Sequence, residues 1–342
     1  MRCSAGCVGF VLALAGCRSS HSPPLATERL DASVPAIADA RGPVMADTGG
    51  PAMVDGRAPV VADASDLIVA TEGPPAVLPD AAGAPAPDPR FVPHPSGDCP
   101  EFAPGMITVR PGGNARQVRV WMSEAARTQD GPLVFYWYGT GGSPAQAEQA
   151  LGWATISAIT GAGGMLVAPV HDPAAGTWPW FLVSGALEND LRVADEVLGC
   201  AVQKVGIDLR RVHALGFSAG AIHTVQMSYR RSGYLASVVT FSGAQSSDIP
   251  DQDPANKLAA MIFHGGANDR VVVGFQAGSE RYRAELQDAG RFALICNHGL
   301  GHRIPAADAP GVWRFLQDHP FGTAPSPYTG ALPPEIPRYC LR

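Results

Sequence analysis

Between residues 117 and 296 seven short apolar runs alternate with stretches patterned as helices. Few folds accept that rhythm. Strands are predicted at 117–122, 132–138, 164–170, 212–217, 237–242, 259–264 and 291–296, and helices at 144–156, 188–205, 219–231, 274–289 and 311–317. Several of the runs are apolar without alternation, as expected of central strands covered on both faces. Strands that alternate with helices imply right-handed crossovers. The expected architecture is therefore α/β: a mostly parallel, twisted sheet with helices on both faces.

The region before this pattern has a different texture. Residues 18–96 hold 14 of the chain's 32 prolines and are otherwise rich in Ala, Asp and Gly. Such a segment buries too little apolar surface to offset its ordering entropy, so a disordered or extended linker is expected over 17–96, with the folded domain at 97–342. As a flexible coil the linker reaches roughly 50 Å. The apolar patch at 66–70 is not expected to dock on the domain. The net charge is −6 and no basic run occurs. Nucleic acid is thereby disfavoured as a partner, since phosphate binding needs clustered Lys and Arg.

The strongest local signal is Gly216-Phe217-Ser218-Ala219-Gly220, which follows an apolar run and opens a helix-compatible stretch. A strand-to-helix turn this tight leaves little room for neighbouring side chains, and it presents a serine hydroxyl at the edge of the sheet. The helix N-terminus beneath it favours developing negative charge. Ser218 is the expected nucleophile. A serine needs a base that is itself oriented by an acid. Asp269, in the loop after run 259–264, is the expected acid, with Asp248, Asp251 and Asp253 as alternatives. His302 is the expected base, and His298, in the same Gly-rich loop, is its rival. His171, His213, His223 and His264 are read as structural.

Attack on a carbonyl also requires donors for the oxyanion. The amide of Ala219 is one, and Thr140 in Tyr138-Gly139-Thr140-Gly141-Gly142 is expected to supply the other. Trp178 and Trp180 flank Pro179 in a loop on the same sheet edge and are expected, with Tyr138, to contact substrate. No Walker-type phosphate loop and no zinc-ligand spacing is present, so neither a metal nor an organic cofactor is expected.

Two resemblances extend this reading. Residues 97–342 resemble the secreted polyhydroxybutyrate-depolymerase and feruloyl-esterase-like α/β-hydrolases. The likeness rests on the segment from Gly206 through Val212 leading into the Ser218 turn, on His264-Gly265 followed by Asp269, and on Gly301-His302 with Pro305. It implies the α/β-hydrolase fold, a Ser218–His302–Asp269 triad, oxyanion donors at Thr140 and Ala219, and feruloyl, acetyl or hydroxyalkanoate esters as substrates, small or polymeric. One departure is Tyr138-Gly139, where the family commonly has His-Gly. The N-terminus, with Arg2, an apolar stretch over 8–14 and Leu14-Ala15-Gly16-Cys17, resembles a bacterial lipoprotein signal. That likeness implies cleavage after residue 16, acylation of Cys17 and a membrane anchor, at the outer membrane or cell surface, with periplasmic or secreted placement as the alternative. Cys99, Cys200, Cys296 and Cys340 then remain as an even set in an oxidising compartment, and two disulfides are expected with three pairings open.

The expected activity is serine carboxylesterase chemistry. A prolyl-oligopeptidase-type peptidase shares the machinery but lacks here the propeller repeats that precede its domain. A catalytically silent binding protein on the same scaffold is the rival of another class.

Overall fold

Strand–helix alternation is carried through from Gly105 to the C-terminus in the computed structural model, which describes residues 88, 89, 91–183, 185–244, 253 and 256–342. The chain divides into two units, Met1–Ala76 and Val77–Arg342, and every described residue belongs to the second. The expected signal segment, Cys17, the patch at 66–70, and Asp248 and Asp251 lie outside the described residues.

Nine strands form one sheet: β1 Gly105–Val109, β2 Arg116–Trp121, β3 Gly131–Trp137, β4 Met165–Pro169, β5 Ile207–Phe217, β6 Ser237–Phe241, β7 Ala259–His264, β8 Ala293–Asn297 and β9 Cys340–Leu341. Their order is β1-β2-β4-β3-β5-β6-β7-β8-β9. The run from β4 through β3 to β8 is parallel, while β1, β2 and β9 pair antiparallel. Every residue of β3, β4, β6 and β7 is buried, which is why these strands read as largely apolar runs without alternation. The helices are α1 Gln146–Gly161, α2 Glu188–Lys204, α3 Ala219–Arg230, α4 Phe275–Asp288 and α5 Ala309–Asp318. α1 and α5 pack together on one face. On the other face α2, α3 and α4 are tied by Arg231 to Asp195 at 2.8 Å and by Tyr282 OH to Ser228 Oγ at 2.7 Å. Among the described residues no helix is long and apolar enough to cross a membrane.

The structure differs from the expected elements in four places. β5 starts at Ile207 instead of 212, because Ile207 pairs with Gly131 and the half-covered charged segment Asp208, Arg210 and Arg211 is taken up in a bulge before Val212 pairs with Leu133. β1 and β9 were not expected. Both are edge strands: β1 pairs locally with β2, the next strand in the chain, whereas β9 pairs with β8 at long range, Cys340 lying 44 positions after Cys296. α1 runs to Gly161 through a non-helical Gly152 (φ 66°). Finally, residues 93–96 belong to the packed domain and not to a linker. Ser96 donates from its amide and its hydroxyl to Glu196 Oε2 at 2.8 and 2.7 Å. A methyl at Gly199 would fall 2.6 Å from Pro93 O.

The four domain cysteines pair as Cys99–Cys200 and Cys296–Cys340. The first bond joins the domain's N-terminal entry to α2, and the second holds β9 to β8. Bonds of this kind form and persist in extracytosolic, oxidising compartments.

Three histidines are completely buried in this core. Burial pushes His213 and His223 down to about 3 and His319 down to about 4. Each is therefore neutral when folded but binds a proton in the unfolded chain below pH 6.5. Stability is complete above that value and is lost as pH falls towards the folded values, by about 1.4 kcal/mol per histidine per pH unit. The guanidinium unfolding midpoint is expected to drop clearly between pH 7.5 and 5.5. An unchanged midpoint would contradict the neutral burial of these rings.

Candidate active site

At the C-terminal end of β5 the chain turns directly into α3. Ser218 occupies the turn with φ 54° and ψ −120°, a backbone conformation that side-chain-bearing residues rarely adopt. Its neighbours explain the glycines. A Cβ on Gly216 would lie 2.3 Å from Gly220 O, and one on Gly220 would lie 1.9 Å from Trp137 O, at the end of β3. The Ser218 amide donates to Phe241 O at 2.9 Å, which fixes the turn to the end of β6.

The structure brings His302, and not His298, to this serine. His302 Nε2 lies 3.0 Å from Ser218 Oγ, and His302 Nδ1 lies 2.8 Å from Asp269 Oδ1. The imidazole sits between the rings of Phe217 and Phe275, with centroids at 4.8 and 4.6 Å. Those two rings limit its rotation. His298 instead donates its amide to His264 O, and its Nδ1 accepts the Leu300 amide. Burial lowers the pKa of His298.

Asp269 is wholly buried in the loop after β7. Its Oδ2 accepts Ser242 Oγ and the Gly265 amide, each at 2.8 Å. Burial alone would raise its pKa, but the hydrogen bonds from His302, Gly265 and Ser242 outweigh it and hold the carboxyl below its ordinary value. The alternative acid Asp253 bonds through its amide to Ser232 Oγ, in the turn beyond α3. The acid loop and the histidine loop touch directly. The Gly301 amide donates to Gly265 O at 3.0 Å, and a Cβ on Gly265 would lie 1.9 Å from Gly301 O.

Sequence reasoning missed Ser242 and Phe275 as parts of this arrangement. Ser242 follows β6 with φ 53°, and its only sequence signal is a serine just past an apolar run. It also missed the exposed aliphatic side chains of Val271, Val272 and Val273, between Asp269 and Phe275, and of Leu300 in the histidine loop.

The loop after β3 is a tight turn. Gly142 N donates to Gly139 O at 2.9 Å, with Gly141 at φ 74°. It abuts the nucleophile turn, since a Cβ on Gly139 would fall 3.1 Å from Ser218 Cβ. Among the described residues neither the Thr140 nor the Ala219 amide donates to a protein acceptor, so both are free to receive a ligand oxygen.

Two expected substrate contacts are corrected. Trp180 is 0 % exposed, with its indole N–H donating to Tyr138 O at 2.8 Å and its rings against Trp137 and Tyr138. Tyr138 is also buried, and its hydroxyl accepts the His171 amide at 2.8 Å. The turn through Pro179 sends one indole inwards and leaves the other, Trp178, 39 % exposed. Among the described residues no group of three His, Cys, Asp or Glu side chains is gathered as a metal site.

A family model described as Phospholipase/Carboxylesterase matches residues 168–319. That span includes Ser218, Asp269 and His302. No curated protein matches the chain. Among solved structures, native pOPH is 18% identical, covering 71% of this chain and 96% of its own, with a TM-score of 0.58. Native sOPH is 17% identical, covering 72% and 95%, with a TM-score of 0.56. At such identities the likeness establishes the fold, which is that of the α/β-hydrolases.

Proposed function

We propose that this chain is a serine carboxylesterase that cleaves ester bonds through an acyl-enzyme at Ser218. The observation that carries the reading is the unbroken hydrogen-bond chain from Ser218 Oγ through His302 to buried Asp269. The match of residues 168–319 to a carboxylesterase family model supports the same enzyme class.

Asp269 stays ionised and accepts a hydrogen bond from His302 Nδ1–H, so Nε2 presents its lone pair to the serine hydroxyl. Oγ attacks the ester carbonyl while its proton passes to Nε2. The carbonyl oxygen becomes an oxyanion and receives hydrogen bonds from the Thr140 and Ala219 amides. When the C–O bond to the alcohol breaks, His302 returns its proton to that alcohol, leaving Ser218 acylated. Water then gives a proton to His302 and attacks the acyl carbon. The acid departs, and the proton returns to Ser218 Oγ.

The substrate is a feruloyl, acetyl or hydroxyalkanoate ester of extracellular material. The exposed side chains of Val271, Val272, Val273 and Leu300, in the loops that carry Asp269 and His302, favour an apolar acyl or alcohol portion beside the reacting carbonyl. The two disulfides agree with a site of action outside the cytosol. Cys17, acylated, holds the enzyme to a membrane.

A fluorophosphonate probe tests the mechanism and the location together. Labelling is expected at Ser218, in the membrane fraction, and in the soluble fraction after Cys17→Ala. Acetyl, feruloyl and hydroxybutyrate esters are expected to turn over far faster than prolyl amides. An unlabelled serine, or rapid amide cleavage with negligible ester cleavage, would overturn the assignment.

A further inference from the structure

The peptide that leads from β3 into the 139–142 turn is held at both ends by side chains from elsewhere in the chain. Its carbonyl, Tyr138 O, accepts the Trp180 indole N–H at 2.8 Å. Its N–H, on Gly139, donates to Gln146 Oε1 at 3.0 Å. The same Gln146 oxygen lies 3.2 Å from Tyr136 OH, so the first residue of α1 is itself tied back to β3. A peptide plane bonded at its oxygen and at its nitrogen cannot turn about its long axis without losing both bonds.

Trp180 is built for this contact. It is fully buried, with ring centroids 4.9 Å from Trp137 and 4.8 Å from Tyr138. Trp180 and Phe181 both adopt positive φ, 66° and 47°. Backbone of that kind persists only where the surrounding structure over-determines it. Here it delivers one indole N–H to one carbonyl. The next amide along the chain is that of Thr140, and its turn is closed by Gly142 N to Gly139 O. The Gly142 bond holds the plane that carries the Thr140 N–H, and the locked Tyr138–Gly139 plane anchors that turn next to Ser218.

We propose that Trp180 and Gln146 are positioning residues for the oxyanion hole, locking the Tyr138–Gly139 peptide so that the Thr140 amide is already aimed at the developing charge. The inference rests on the esterase reading and adds to it two residues that stand outside the triad and the donors. Donors aimed in advance stabilise the transition state without reorganising when charge appears. A loosened donor still lets substrate bind, so the loss falls on kcat.

The test uses the full chain with p-nitrophenyl butyrate and an alkyl boronic acid, whose tetrahedral adduct occupies the oxyanion hole. Active sites are first counted with a fluorophosphonate, and the melting temperature of each variant is recorded. Trp180→Phe keeps a ring but removes the N–H, and Gln146→Met removes the acceptor. Each is expected to lower kcat by about 10- to 100-fold with KM within about twofold, and to weaken the boronic acid by a similar factor. The two variants act on opposite ends of one peptide, so failure of one to fold leaves the other to decide. Unchanged kcat and boronic acid affinity, with only a lowered melting temperature, would show a purely structural role and overturn the proposal. A rise in KM alone would also overturn it. Absence of labelling in the wild-type protein would instead remove the esterase reading, and this inference with it.

Discussion

Ser218→Ala, His302→Ala and the double variant are expected to lose the same activity, about 10⁶-fold in kcat on an activated ester. The reason lies in the geometry of the pair. Ser218 Oγ and His302 Nε2 are 3.0 Å apart, and each group acts only through the other. Without the imidazole the hydroxyl remains protonated and is a poor nucleophile, and without the hydroxyl the imidazole has nothing to activate. The second substitution therefore removes nothing that the first had left. Residual turnover comes from the Thr140 and Ala219 amides and from substrate positioning, which both substitutions leave in place. Single-turnover kinetics on the three variants, with active-site titration of the wild type, reads the result. A double variant slower by the product of the two single losses would mean that the residues act independently.

Gly265→Ala is expected to cost about 10²-fold or more in kcat, although residue 265 does not react. Gly265 has an ordinary φ of −96°, so alanine meets no backbone strain there. The obstacle is contact: the new Cβ would fall 1.9 Å from Gly301 O and 2.5 Å from Gly301 C. Neither atom belongs to a flexible side chain, so one loop must move. Gly301 directly precedes His302, and the Gly265 amide holds Asp269 Oδ2, so the movement separates acid from base. A displacement near 1 Å in a reacting constellation costs about that much. Gly161→Ala is the control. Its Cβ meets nothing within 4 Å, it ends α1, and activity is expected to stay at the wild-type level. Equal activity in Gly265→Ala and wild type would show that the two loops yield without disturbing the triad.

The differences between what was readable and what was not follow the reach of each interaction. Ser218 could be read from five residues, because the demands of its turn are met by Gly216 and Gly220, both within two positions of it. Asp269 and His302 could be placed in loops after strands by their order in the chain. Which histidine of the second loop faces the serine depends on the bond from Gly301 to Gly265, between positions 36 apart in the sequence. Ser242 and Phe275 join the site only because the ends of β6, β7 and β8 lie side by side. Trp178 and Trp180 are equivalent as text on either side of Pro179. The slot formed by Trp137, Tyr138 and His223 admits one of them.

By itself the sequence determined the strand–helix alternation, the parallel core and the position of the nucleophile turn. Each of these is written in the periodicity of burial or in the conformational needs of a few adjacent residues. Tertiary structure alone decided the cysteine pairing, the choice between His298 and His302, the burial of Trp180 and Tyr138, and the short edge strand β9. Those outcomes depend on which distant segments come to share a surface, and no local pattern of residues encodes a neighbour brought in by the rest of the fold.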